Sequence, residues 1–250
     1  DGLERFKLNS QLLNALVDEE DASKLFRRYR ASGLLPYGAF GEIVWDAQCE
    51  EMRALADRVI ACRQPASSIE IDLDCNGMHL SGWLTHVQSD GLLRWRPSML
   101  SVSHGLQLWL EHLVYSASGH EGESRLFVRK DGEWRFPPME PEQALTYLSL
   151  YIEGYRQGMN KPLLLLPESG GAWIKACYDT QNDAMLTDEA SLQKARSKFL
   201  QAYEGNMMVR GEGDDVWYQR LWRTLEPDYF DIITQEAQRY LLPLYKFNQS

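Results

Sequence analysis

Apolar and polar residues alternate from Ile69 to Cys75 and again after Asn76-Gly77. An Asn-Gly pair between two alternating runs predicts a β-hairpin closed by a tight turn. Ser89-Asp90-Gly91 makes a second turn before Leu92, Leu93 and Trp95. After Pro97 the period changes: Leu106, Trp109, Leu110 and Leu113 recur at helical spacing. The stretch from Ile69 to Leu113 therefore reads as an antiparallel meander that hands over to a helix.

The same reading extends in both directions. Residues 3–32 read helical in two pieces, with Leu8, Leu12 and Leu16 on the first and Leu25, Phe26 and Tyr29 on the second. Glu19, Glu20 and Asp21 suit the positive end of that second helix, Ser23 to Ala31, and Gly33 stops it. A loop over 34–41 leads to a helix carrying Ile43, Val44, Ala47, Met52, Leu55 and Val59 inward and ending near Pro65. Arg125 to Phe136 predicts a second hairpin, turning at Asp131-Gly132 and extending the sheet. Pro141 opens a helix with Ala144, Leu145, Leu148, Ile152 and Tyr155 inward, closed by Gly158.

Further on, Leu163 to Leu166 predicts a buried strand or turn, and Ser169 to Trp173 a structural turn. The glycine pair there lacks the Gly-Lys-Ser/Thr of a phosphate loop. Thr187 is expected to cap a helix whose end lies just before Gly205. Gly211 to Asp215 is a short acidic loop, Val216 to Arg223 starts a helix, and a last helix runs from about Asp228 to Leu241, ended by Pro243. With no internal repeat and no long linker, one domain is expected over 1–250: a helical part (1–64), a sheet core (65–136) and a mainly helical part (137–250).

Composition narrows the class. The 250 residues are 44% hydrophobic and 25% charged, ordinary for a globular chain. Eight Trp and twelve Tyr fit a well-filled core, with a partner surface as the alternative. A net charge of −10 argues against a free-standing nucleic-acid binder unless arginines cluster locally. Cys49, Cys62, Cys75 and Cys177 show no metal-like spacing and read as reduced thiols of a cytoplasmic protein. The histidines are scattered, so no metal and no cofactor is expected. No apolar run approaches the roughly 20 residues of a membrane span. The start, Asp1-Gly2-Leu3, shows no targeting pattern and reads as an excised piece of a longer chain.

The order strand, hairpin, strand, helix resembles the core of the PD-(D/E)xK nucleases, in particular the RecB-type nuclease module. That family carries a Gly-x-x-Asp strand, an Asp/Glu-x-Lys strand and a helix with a Gln-Leu-x-x-Tyr pattern. Here Gly82-Trp83-Leu84-Thr85, Arg94-Trp95-Arg96 and Gln107-Leu108-Trp109-Leu110 stand in those places. The resemblance implies an α/β (α+β) fold: a restriction-endonuclease-like core with a small mixed sheet, flanked by N- and C-terminal helices. It also implies lost catalysis. Phosphodiester cleavage of this kind needs a divalent cation held by carboxylates. Thr85 offers a neutral hydroxyl, and Arg94 places a permanent cation where a metal ligand would stand. Arg96 keeps the usual positive charge but does not readily release a proton. Where active relatives carry a helix-borne His and Glu, this chain has Gly38-x-x-Gly41 followed by Glu42.

Other candidates stand beside that triplet. Glu70, Asp72 and Asp74 share one strand face, as the solvent face of a half-buried strand or as displaced carboxylates of an active metal-dependent nuclease. Arg125, Arg129, Lys130 and Arg135 add positive charge near Arg94 and Arg96, and a shared face would let them touch a phosphate backbone. Trp217, Tyr218 and Trp222 are candidates for partner contact or for core packing.

A closer resemblance covers essentially the whole chain. Gly33-Leu34-Leu35-Pro36 with Gly38 and Gly41 is similar to the RecC family. So are Gln107-Leu108-Trp109-Leu110, Pro162 to Ser169 with Trp173, and Tyr218-Gln219 with Leu221-Trp222-Arg223. The ending Tyr240 to Ser250 fits that family's carboxy terminus. The resemblance implies the C-terminal, nuclease-like part of the gamma chain of exodeoxyribonuclease V. It implies a non-catalytic scaffold within an assembly for DNA repair and recombination. The implied partners are RecD-type and RecB-type subunits, with DNA met through the assembled complex and no membrane.

Overall fold

Helices α1 (Gly2–Val17), α2 (Ser23–Ala31) and α3 (Ala39–Cys62) come first. The computed structural model describes residues 2–207, 209–222 and 224–249. Asp1, Met208, Arg223 and Ser250 lie outside the described residues, and with them the first and last residues of the expected ends and the arginine that closes the Tyr218 motif. Leu8, Leu12, Leu13 and Val17 of α1 pack on Trp45, Met52, Leu55 and Val59 of α3. Ile43 and Val44, expected inward, are 64% and 36% exposed. The buried stripe of α3 instead runs through Trp45, Gln48, Met52, Leu55 and Val59. The glycines before it serve the chain path: Gly38 has φ 70°, and a Cβ on Gly41 would lie 2.3 Å from the Pro36 carbonyl oxygen.

Five strands form one mixed sheet in sequential order: β1 (Ser67–Cys75), β2 (Met78–Gln88), β3 (Gly91–Trp95), β4 (Glu123–Phe127) and β5 (Glu133–Phe136). Asn76 and Gly77 hold φ of 49° and 68°, the left-handed pair that a tight hairpin turn requires. β3 and β4 run parallel, joined by helix α4 (Val102–Ala117); the other neighbours are antiparallel. A parallel pair needs such a crossover, which explains the change of period after Pro97.

The sheet is covered on both faces. Leu93 and Phe127 join the core of α1 and α3. Leu126, Trp134 and Phe136 join α4 through Leu108, Trp109 and Leu113. Helix α4 is buried on more than its expected stripe, because helices α5 (Pro141–Asn160) and α6 (Pro167–Cys177) lie against its far side. The Trp109 ring lies 5.0 Å from Phe136 and 5.3 Å from Phe247, measured between centroids.

After α6 come a short hairpin of β6 (Tyr178–Asp179) and β7 (Ala184–Met185), helix α7 (Glu189–Glu204), and a 3₁₀ turn (Glu212–Asp214). Helices α8 (Val216–Leu221), α9 (Pro227–Tyr240) and α10 (Leu242–Phe247) complete the chain. Several expectations for this half change. Leu163 to Leu166 forms no strand, and Tyr155 is 59% exposed. Gly158 lies inside α5, which continues to Asn160. Ser169 to Trp173 is helix, not turn: Gly170 and Gly171 let α6 approach its neighbours, and a Cβ on Gly171 would lie 2.5 Å from Val102 Cγ2. Asp188, not Thr187, caps α7, its side chain accepting from the Ser191 amide at 3.0 Å. Pro243 stands at the start of α10 rather than simply ending a helix.

Candidate functional site

Strand alternation sends Arg94 and Arg96 toward α4, while Leu93 and Trp95 face α3. On α4, His104, Gln107 and Glu111 recur at three and four positions and share the helix face above them. The two sets line a cavity of about 160 Å³, completed by Trp95, Leu108 and Leu126. Arg94 Nε and Nη2 both lie 2.8 Å from Glu111 Oε2. Gln107 Nε2 donates to the other oxygen, Glu111 Oε1, at 3.2 Å. Arg94 Nη1 also donates to the His86 and Leu93 carbonyls, at 3.3 and 3.2 Å.

Arg96 stands differently. Its amide donates to the Phe127 carbonyl at 3.0 Å, but its buried Nε has no hydrogen-bond partner among the described residues. His104 Nδ1 is likewise buried and unpartnered among them. Burial, then the nearby Arg96 charge, lowers the His104 pKa. Ser101 caps α4 by accepting from the His104 amide at 3.2 Å.

Thr85 does not join this cavity. It sits exposed at an irregularity where the β1–β2 register shifts between Ile69↔Leu84 and Ser67↔Val87. Its Oγ1 lies 3.2 Å from His86 Nδ1, on a residue with φ 54°. Of the three positions Thr85, Arg94 and Arg96, the fold brings only the arginines together.

The basic residues do not share a face. Arg125 is in register with Leu93 and Arg135, whereas Arg94 is in register with Leu126, so the pairs look to opposite sides of the sheet. Arg125 Nε lies 2.8 Å from Glu133 Oε1, with its guanidinium over the Phe127 ring at 4.7 Å. Arg129 grips Glu51 with two hydrogen bonds of 2.7 and 2.8 Å. Arg135 Nε donates to Glu123 Oε2 at 2.6 Å. Lys130 is exposed in the β4–β5 turn.

Glu70, Asp72 and Asp74 do share the exposed face of β1, opposite buried Ile71 and Cys75. His79 across the hairpin approaches Asp72 at 3.6 Å and Asp74 at 3.1 Å. Among the described residues no group of three His, Cys, Asp or Glu is placed to hold a metal. Glu42 is exposed in the first turn of α3, 3.7 Å from Arg30. Trp217 is 66% exposed beside the Arg220 guanidinium, 5.5 Å from its centroid. Tyr218 and Trp222 pack against the main core, and the Tyr218 hydroxyl donates to the Leu165 carbonyl at 2.7 Å.

Two acids escaped sequence reasoning. Glu111 interrupts an otherwise apolar run on α4, four positions after Gln107, and that was its one readable signal. Glu212, in the acidic loop, accepts from the Glu168 and Ser169 amides at 3.1 and 2.7 Å and so caps α6. The Glu168 carboxylate in turn accepts from the Val102 and Ser103 amides, both at 3.0 Å, at the start of α4. Burial raises the Glu212 pKa.

Residues 1–178 match the family model described as the RecC C-terminal domain. Over 250 residues the chain is 71% identical to "RecBCD enzyme subunit RecC" of Escherichia coli (strain K12), covering all of this chain and 22% of that protein. It is 34% identical over 244 residues to the protein of the same name from Buchnera aphidicola subsp. Acyrthosiphon pisum, covering 98% of this chain and 23% of that protein. A third match, from Haemophilus influenzae, is 22% identical over 165 residues. The chain thus spans less than a quarter of the length of these relatives.

Proposed function

The chain belongs to the RecC family, and on that premise we propose that residues 1–250 act as one non-catalytic, nuclease-like domain of a cytoplasmic helicase–nuclease assembly. The nuclease-like reading is supported by the meander of β1, β2 and β3, the α4 crossover and the parallel β4, which follow the order of the PD-(D/E)xK core. The single observation that supports the loss of catalysis is the Arg94–Glu111 pair, which on the nuclease-like reading sets a guanidinium where that core would hold a metal-ligating carboxylate. A divalent cation beside Arg94 and Arg96 would meet two fixed positive charges.

The proposed role is structural: to bind the RecD-type helicase subunit, to sit beside a RecB-type subunit, and to help place or separate DNA strands during break repair and recombination. The relatives' name, RecBCD enzyme subunit, supports that setting. Among the aromatic candidates, exposed Trp217 suits a partner contact, while Tyr218 and Trp222 serve the core. Among the cationic candidates, Arg96 and Lys130 are the ones without a carboxylate partner among the described residues; Arg94, Arg125 and Arg129 are held in ion pairs.

Co-purification with the RecD-type subunit at moderate and at high salt tests this role. A complex that persists at high salt supports a mainly apolar contact and the scaffold reading. Absence of a complex at both salt levels, in the intact assembly's own purification, contradicts it.

A further inference from the structure

The two edges of the five-stranded sheet are finished differently. At β5 the chain's own tail closes the edge: the Arg135 amide donates to Asn248 Oδ1 at 3.0 Å, and the Gln249 amide donates to the Arg135 carbonyl at 2.9 Å. At the other edge stands β1, nine residues long, paired on one side only. The two-residue turn at Asn76-Gly77 makes Cys75 and Met78 a pair that exchanges hydrogen bonds. Counting back, Leu73 and Ile71 bond to β2 as well, and Glu70, Asp72 and Asp74 fall on the alternate pairs. Their amide and carbonyl groups therefore point away from β2, and among the described residues no backbone hydrogen bond reaches them from another element. Sheet edges are ordinarily blunted by proline, lysine or a bulge. From Ile69 to Cys75, β1 has no proline, no lysine and no register shift.

We propose that the open edge of β1 receives an extended segment of a protein partner, added as an antiparallel strand whose alternate side chains are Lys or Arg. Backbone pairing supplies the affinity of such an added strand, and its alternate side chains supply the selectivity. The same three residues that open the edge carry their carboxylates on the exposed face of β1. A strand laid beside them sets every second side chain about 5 Å from one of these acids, measured between Cβ atoms. His79 answers Asp72 and Asp74 from the β2 side, at 3.6 and 3.1 Å, while Glu70 has no ionic partner among the described residues. On the opposite face Ile69 and Leu73 are only half-buried, which leaves apolar surface for the intervening residues of the added strand. Charge excludes the other occupants. Two copies of β1 side by side would set carboxylate against carboxylate, which destabilises a pair. A DNA backbone would meet three negative charges. The surface is separate from the Trp217 contact proposed above and depends on neither the RecD-type subunit nor a nuclease-like ancestry.

Fluorescence anisotropy of a fluorescein-labelled Lys-Val-Lys-Val-Lys-Val-Lys peptide, titrated with the full-length chain, tests the proposal. Saturable binding is expected, with none for the peptide in which Glu replaces Lys. A Lys peptide N-methylated on its lysine backbone amides keeps its charge, loses the donors that face β1, and is expected not to bind. Asp72→Asn removes a charge and keeps the amide, and is expected to weaken binding about two- to fivefold, the scale of an exposed ion pair. Asp72→Pro also removes the outward amide, a change that edge strands tolerate, and is expected to weaken binding about tenfold or more. Circular dichroism melts keep loss of fold separate from loss of binding, and the N-methylated peptide tests the pairing on the unaltered protein. Equal binding of the N-methylated or the Glu peptide, or no binding of the Lys peptide, overturns the proposal. So does self-association of the chain that Asp72→Pro abolishes, which would give the edge to a second copy.

Discussion

Arg94 on β3 and Glu111 on α4 form a two-donor contact in which Nε and Nη2 both lie 2.8 Å from one carboxylate oxygen. Their side chains are 21% and 22% exposed, so the pair stands between a surface salt bridge and a buried one. It ties the crossover helix to the strand it leaves, at the very place where the nuclease-like reading puts lost chemistry.

Glu111→Gln removes one charge and strands the Arg94 guanidinium in a partly buried site. The expected loss is about 1–3 kcal/mol, more than an exposed pair is worth and less than a fully buried one. A double-mutant cycle with Arg94→Gln, followed by urea unfolding, is expected to return a coupling of about 1–2 kcal/mol. Additive losses would show that the two residues do not act together.

His112 is fully buried, its Nδ1 2.8 Å from Ser124 Oγ, and burial pushes its pKa down from 6.5 to about 4. Between those values the unfolded chain binds a proton that the folded chain refuses. Stability therefore falls as pH drops from 6.5 toward 4, by about 3 kcal/mol at most, and is insensitive to this group above 6.5. Denaturant midpoints measured across that window are expected to flatten in His112→Gln relative to the parent chain.

Glycines in two helices are expected to respond in opposite ways to alanine. A Cβ on Gly171 would meet Val102 Cγ2 at 2.5 Å and the Tyr245 hydroxyl at 2.8 Å. Gly171→Ala is expected to destabilise by about 1–3 kcal/mol through overpacking. At Gly158 the nearest atom would be Leu163 Cδ1 at 3.9 Å, so Gly158→Ala is expected to stabilise by about 0.5–1 kcal/mol through helix propensity. Thermal melts of the two variants check both signs.

Trp217 and Tyr218 are adjacent yet separable. Trp217→Ala is expected to weaken RecD-type subunit capture with a change in stability under about 0.5 kcal/mol, as exposed substitutions do. Tyr218→Phe removes the hydrogen bond to Leu165 and is expected to cost about 1 kcal/mol while leaving capture intact. Pull-down yields set beside melting curves distinguish the two outcomes.

The sequence carried the sheet well, because period-two alternation and the Asn76-Gly77 pair are local signals. It carried α4 as a helix but not the burial of its far side, since Gly171 reaches it, and Gly170 reaches α9, only through tertiary packing. They read as a turn because glycine marks turns by default; close helix approach uses the same residue for the opposite purpose. Arg94 and Arg96 were legible as neighbours on one face of a strand, whereas Thr85 was displaced by a register shift that no spacing rule announces. The ion pairs of Arg125 with Glu133 and of Arg129 with Glu51 were not legible either. They join positions eight and seventy-eight residues apart, the first across a hairpin and the second between α3 and the β4–β5 connection. Glu212 read only as part of a short acidic loop, and its role as the cap of α6 depends on a fold that brings residues forty-three and forty-four positions apart together.

The central claim, a nuclease-like core without catalysis, is tested most directly by incubating duplex and single-stranded DNA with the purified chain across Mg²⁺ and Mn²⁺ concentrations. The account predicts no cleavage above a metal-free control at any concentration. Metal-dependent cleavage that disappears on changing Glu70, Asp72 or Asp74 would contradict it and assign those carboxylates to an active centre.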